Sequence, residues 1–223
     1  MSGRVPTAVW VGYGLAGAVH LGFQVWAPDQ LGSRTTQAGL APILMVAVWR
    51  AVPNPRGRLV GWTLGALAFC FLGDLLPGVV PDQWAFVTMM ASFLLAQACF
   101  VLAFWPLRHR SFLLREPGWL IPYLGGLTGL IAVVGPRAGV LLVPLVGYGV
   151  LLTTMAVLAS GLGRLGVAGG ALFFVSDALI ALTSFAGQLP GAGVFIMATY
   201  IPAVALLVAG VIGTHAEVTA GRR

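Results

Sequence analysis

The sequence predicts an all-α, polytopic membrane protein: eight transmembrane helices in one bundle. Three observations carry that expectation. The 223 residues are 59% hydrophobic and only 8% charged, whereas a soluble domain carries about a quarter charged residues. Apolar stretches of about twenty residues recur along the whole chain, each long enough to cross a hydrocarbon core of about 30 Å. The twelve basic side chains are all arginines, and all but Arg50 lie between or beyond those stretches.

Taken in order, the spans are expected near 7–26, 36–52, 59–76, 84–106, 119–134, 138–159, 165–187 and 191–213. The first follows Arg4 but is too long for a signal-peptide core, so it is expected to stay as a span. No stretch long enough for a soluble domain is left over, and residues 1–223 read as a single transmembrane domain. Arg4, Arg50, Arg56, Arg58, Arg108, Arg110, Arg115, Arg164, Arg222 and Arg223 fall on one side of these spans, with Arg34 and Arg137 on the other. That asymmetry places both termini in the cytoplasm, with the protein in the cell membrane. It also accounts for the net charge of +6 without a nucleic-acid partner.

Between the fourth and fifth spans, RHRSFLLREPG interleaves Arg108, Arg110 and Arg115 with Phe112, Leu113 and Leu114. Such a loop fixes topology, and it is also able to lie in the interface against anionic head groups. Cys70 and Cys99 fall inside spans at a spacing that suits neither a disulfide nor a metal site; both read as small packing residues. No metal or other cofactor is expected. Glycines four apart, at Gly61 and Gly65 and at Gly166 and Gly170, are expected to let helices pack closely.

Two residues do not fit a purely structural membrane helix. Asp177 lies in FFVSDALI within the seventh span, and Asp74 in FCFLGDLLPG at the end of the third. An aspartate at the centre of a membrane helix costs about 2.5–3.5 kcal/mol, so an intramembrane acid points to function. At 1.5 Å per residue Asp177 and Asp74 lie ~18 and ~22 Å from the cytoplasmic edge, and His20 ~20 Å. Tyr200 lies ~14 Å in from the outer edge, so two acids, an imidazole and a phenol converge on one layer, with Gln97 somewhat deeper. Asp74 and Asp177 are 103 residues apart, as are Gln97 and Tyr200, and Pro42 and Pro144 are 102 apart. These offsets raise an internal 4+4 repeat of parallel halves, an arrangement also found in transporters.

Gly73-Asp74 in the third span and Ser176-Asp177 in the seventh resemble the two signature acids of the YhhN-type lysoplasmalogenase family, and the resemblance runs from about Gln37 to Ala209. Tyr200 and Ala203 are similar to its last-helix pattern. Phe93, Gln97 and Phe100 stand where the family usually shows phenylalanine, histidine and tyrosine; Ala41-Pro42 stands for a lysine-proline pair, and Val204 for a glutamine. The resemblance implies hydrolysis of the vinyl-ether bond of a lysophospholipid. Asp74 and Asp177 would then be the catalytic pair, with Gln97, Tyr200 and Ser176 as candidates for substrate binding; His20 joins these candidates on its depth alone, the resemblance adding no catalytic role there. Two acids sharing a site split into a proton donor and a charged partner. Asp177, flanked by Phe173, Phe174 and Ile180, reads as the donor. A small-solute or proton-coupled transporter and a catalytically silent lipid-binding protein are the alternatives, and the oligomeric state is not readable.

Overall fold

The structure, a computed structural model, describes residues 5–28, 30–54, 56–187 and 189–220; Arg4, Arg222 and Arg223 of the topology argument lie outside them. Among the described residues there is no strand, and the α-helices are α1 (Thr7–Trp26), α2 (Leu31–Ala51), α3 (Arg58–Leu75), α4 (Asp82–Phe104), α5 (Phe112–Arg115), α6 (Ile121–Ala138), α7 (Leu142–Ala159), α8 (Arg164–Phe185) and α9 (Ala192–Ala220). All but the four-residue α5 fall on the apolar segments expected from hydropathy.

Among the described residues, six stretches are long and apolar enough to cross a membrane: Thr7–Trp26, Arg58–Gly78, Asp82–Arg110, Pro117–Leu162, Arg164–Phe185 and Ala192–Ala220. That is the build of a multi-pass membrane protein. α2 stands outside the six because its first two turns carry Ser33, Arg34, Thr35, Thr36 and Gln37. It begins five residues earlier than expected. The hydroxyls of Thr35 and Thr36 donate back to the carbonyls of Leu31 and Gly32, which lets polar residues sit in a helix. α6 and α7 share one of the six stretches and are separated by a 3₁₀ turn at Gly139–Leu141, where Gly139 takes a φ of +52°.

The surface is apolar where a soluble protein would be polar: Leu15, Val46 and Leu95 are exposed in mid-helix, and Leu124 and Val143 in the first turns of α6 and α7. Tryptophans mark the helix ends, with Trp26 closing α1, Trp84 near the start of α4, and Trp105 just past its end. This is the distribution of an interfacial aromatic belt. The Arg56 guanidinium stacks 3.6 Å above the Trp49 ring and donates to the Trp49 carbonyl, so charge and ring meet at one level.

The chain divides into two compact units, one made of Met1–Ala103 with Val208–Arg223 and the other of Phe104–Leu207. In the first, α2 packs against both α1 and α3. α3 meets α4 where Gly73 faces the Phe93 ring; a Cβ there would come within 2.8 Å of it. In the second, α6, α7 and α8 pack on one another. Gly170 lies so close to α7 that a Cβ would stand 2.9 Å from the Ala156 carbonyl oxygen, and one on Gly166 would overlap the Ala159 carbonyl. Gly169, on another face of α8, is equally tight against Ala203 and Leu207 of α9. Small residues therefore seat α8 between two neighbours. The Gly61–Gly65 pair does not act this way: Gly61 has no atom within 4 Å of a Cβ, and Gly65 meets only Cys99 Sγ at 3.6 Å. Pro42 lies inside α2, which continues unbroken to Ala51, whereas Pro144 falls in the first turn of α7, where its missing N–H costs nothing. The two prolines do not mark corresponding breaks.

The arginine-rich segment is pinned down. It forms a 3₁₀ turn at Trp105–Arg110, then α5, then a second 3₁₀ turn at Pro117–Leu120. The buried Ser111 hydroxyl donates to the Val157 carbonyl at 3.0 Å and lies 2.6 Å from Ser160 Oγ, fixing the segment to the end of α7.

Candidate active site

Each acid sits far along a helix that opens with an arginine. Asp74 is sixteen residues past Arg58 and Asp177 thirteen past Arg164, which is ~24 and ~20 Å along the axis. Both are buried, with 8% and 5% of their surface exposed, so neither carboxyl is hydrated as it would be in a loop. Desolvation must be offset by donors, and each acid has one on the helix that precedes its own. Gln37 Nε2 of α2 donates to Asp74 Oδ1 at 2.9 Å. The Tyr148 hydroxyl of α7 donates to Asp177 Oδ2 at 2.6 Å. A hydrogen bond to a charged group is worth about 1.5–3 kcal/mol, comparable with the cost of placing the aspartate in the membrane.

The residue before each acid fastens it to the helix that follows. Gly73 admits the Phe93 ring of α4. Ser176 donates its hydroxyl to the Ile196 carbonyl of α9 at 3.1 Å. Acid-bearing helices are thus held on both flanks, once in each unit, and the dipeptides Gly-Asp and Ser-Asp acquire a packing reason. Gln37 and Tyr148 even match in register, six residues past the start of α2 and of α7.

Around Asp177 the wall is aromatic. Phe173 and Phe174, one turn earlier on α8, are buried. The Phe173 ring meets Tyr200 edge-on at 5.8 Å between centroids, and Phe174 meets Tyr123 of α6 in the same way at 5.8 Å. Tyr200 therefore packs on Phe173, one turn before Asp177, and it is Ile196 that lies level with the acid. Around Asp74 the wall is formed by Phe93 and by Tyr13 of α1, which is buried and lies within electrostatic reach of the carboxyl.

Gln97 is fully buried on α4, and with Phe93 and Phe100 it recurs at i, i+4 and i+7, so the three share one buried face. His20 is engaged elsewhere. Its Nδ1 lies 3.0 Å from the Thr36 hydroxyl, which itself donates to Gly32, and its Nε2 accepts from Gln24 Nε2 at 3.3 Å. That pattern fits a neutral ring carrying its proton on Nδ1 and tying α1 to α2. Gln37 and Tyr148 are the partners of the two acids that sequence reasoning missed. Their signal was indirect: each buried acid requires a donor, and a polar side chain on the neighbouring apolar helix is the place to look.

The chain is thus a multi-pass helical protein that buries two carboxyls, each steadied by a neutral donor on the helix before it. Comparison with known proteins narrows the class. The YhhN family model matches residues 33–211, and the chain belongs to that family. It is 33% identical over 196 residues to Lysoplasmalogenase TMEM86B of Homo sapiens, covering 83% of this chain and 79% of that protein. A lysoplasmalogenase of Mycobacterium bovis is 30% identical over 189 residues, 78% of this chain and 68% of its own. Lysoplasmalogenase TMEM86B of Rattus norvegicus is 30% identical over 194 residues, 85% and 78% of the two chains. No solved structure matches the chain at a significant level.

Proposed function

We propose that this protein is an intramembrane lysoplasmalogenase, hydrolysing the vinyl-ether bond of a lysophospholipid to a fatty aldehyde and a glycerophospho-alcohol. The observation that carries the reading is its similarity, at 30–33% identity over most of the chain, to proteins that bear that name. On this reading the chain makes eight passes in one bundle with a 4+4 ancestry, and both termini are cytoplasmic.

The chemistry needs a proton and a water. A carboxylic acid protonates the β-carbon of the vinyl ether, leaving an oxocarbenium ion whose charge is shared between the α-carbon and the ether oxygen. Water adds to the α-carbon and loses a proton to a carboxylate. The resulting hemiacetal then breaks its bond to the glycerol oxygen, giving aldehyde and alcohol and restoring both acids. One aspartate must begin protonated and one charged. Asp177, walled by Phe173, Phe174 and Tyr200, is the donor. Asp74 is the charged partner, which stabilises the cation and takes the water's proton. Gln97 and Tyr200 line the substrate's path, while Ser176 acts by holding α8 to α9.

Aldehyde release from a lysoplasmalogen by purified protein tests this directly. Asp74→Asn and Asp177→Asn should each lower turnover by about 10²–10⁴-fold, and the double variant should lose little more than either single one. Melting temperature in detergent should stay equal or rise in Asp74→Asn, since a neutral amide is cheaper to bury than a charged acid, and stay equal in Asp177→Asn, where one neutral group replaces another. Unaltered turnover in either single variant would rule out the two-acid mechanism. In ¹⁸O-water the glycerophospho-alcohol should carry no label, because water attacks the vinyl carbon and leaves the glycerol oxygen in place.

A further inference from the structure

The second unit holds a cavity of about 320 Å³ that contains neither Asp177 nor Tyr148. It is bounded by Trp105 and Arg108 of the 3₁₀ turn after α4, by Leu114 of α5, by Leu120 at the end of the second 3₁₀ turn and Tyr123 at the start of α6, and by Thr153 and Leu158 on α7. Most of that lining is hydrocarbon or aromatic. Two polar groups stand out. The Arg108 side chain is exposed at the edge of the belt, with Nη1 donating to the Trp105 carbonyl at 3.2 Å and its guanidinium 5.3 Å from the Trp105 ring centroid. Four further N–H donors of a guanidinium remain beyond that single bond.

Thr153 is the second. Its neighbour Thr154 folds its hydroxyl back onto the Val150 carbonyl at 2.8 Å, the usual resort of a helical threonine in an apolar setting. Thr153 does not: its hydroxyl is buried and meets no hydrogen-bond partner, although the residue is only 8% exposed. A buried hydroxyl left unsatisfied is costly, and the position is explained when an incoming acceptor completes it.

We propose that this cavity is a binding site for an intact membrane phospholipid, with the phosphate on Arg108, one acyl chain along the leucines, and an ester carbonyl accepting from Thr153. The volume lies at the small end of ligand pockets, about 300–1,000 Å³, and holds a length of chain but no complete lipid. The rest of the lipid lies outside, where Leu114, Leu124 and Trp105 are about half exposed on the lipid-facing surface. A guanidinium beside an interfacial tryptophan fits a phosphodiester, since it supplies fixed, forked donors at head-group level. The site is separate from the acid chemistry proposed above and does not depend on it.

Lipid retained by the purified full chain, measured by native mass spectrometry, tests the proposal, with melting temperature followed as phosphatidylglycerol is added in mixed micelles. Wild type should keep one phospholipid and melt higher as phosphatidylglycerol is added. Arg108→Gln and Thr153→Val should each weaken that response by about tenfold, the equivalent of one lost charge-assisted or ester hydrogen bond. Thr153→Ser should restore it, and Arg115→Gln, which changes the same net charge outside the cavity, should leave it intact. Inorganic phosphate alone should give no rise in melting temperature. Equal retention in all variants, an equal loss in Arg115→Gln, or a full response to inorganic phosphate would each overturn the site. Displacement of the phospholipid by a lysoplasmalogen at concentrations near KM would also overturn it, by making the cavity part of the substrate's path.

Discussion

Gln37 and Tyr148 do the same work in two places: each presents one neutral donor to a carboxyl that has left water behind. Removing the donor should hurt chemistry more than folding. Tyr148→Phe keeps the ring and its packing but deletes the bond to Asp177 Oδ2, so turnover should fall by about tenfold, as the loss of one buried hydrogen bond of about 1–1.5 kcal/mol implies. KM should change little. Gln37→Leu should act likewise through Asp74. The readouts are aldehyde release and thermal melting in one detergent, and a large fall in melting temperature with turnover preserved would recast both residues as structural. The acids themselves were legible in the sequence because a carboxylate in an apolar run has a cost that only function or pairing explains. Their donors were not. Glutamine and tyrosine are tolerated at helix ends and interfaces for several reasons, so neither announces a partner, and the pairing emerges only when α2 is laid on α3 and α7 on α8.

At the level of the helices, hydropathy was a sound guide to where elements lie and a poor guide to where they stop. α2 starts at Leu31 and α9 continues to Ala220, because helix formation asks only for satisfied backbone groups, whereas hydropathy sees the apolar middle. Packing was legible in half of its instances. The Gly166–Gly170 pair is buried against α7, while Gly61 faces open space; spacing alone does not say which face a neighbour will take. The contrast is testable. Gly170→Val should cost about 1–3 kcal/mol through overpacking against the Ala156 carbonyl, lowering the melting temperature by several degrees, and Gly61→Val should leave it unchanged. Equal effects at the two positions would contradict the packing described.

For the molecule as a whole, the arginine distribution makes an orientation that labelling can read. Asn54 precedes α3 and Val79, 66% exposed, follows it. In intact cells a membrane-impermeant maleimide should modify Val79→Cys and reach Asn54→Cys only after permeabilisation; the native Cys70 and Cys99 are buried and should stay silent. The opposite pattern would invert the protein in its membrane. A different consequence follows from α9, which lies in the second unit as far as Leu207 and in the first from Val208 onward. Each acid finds its neighbours on consecutive helices, α2 to α4 and α7 to α9, so these contacts become available soon after the segments leave the ribosome. Completion is another matter. The helices made first wait through the synthesis of more than a hundred intervening residues (104–207) for their closing segment. A chain stalled or clipped before Val208 would present the cell with an open N-terminal half, and the part of the polypeptide synthesised earliest is the last to be finished.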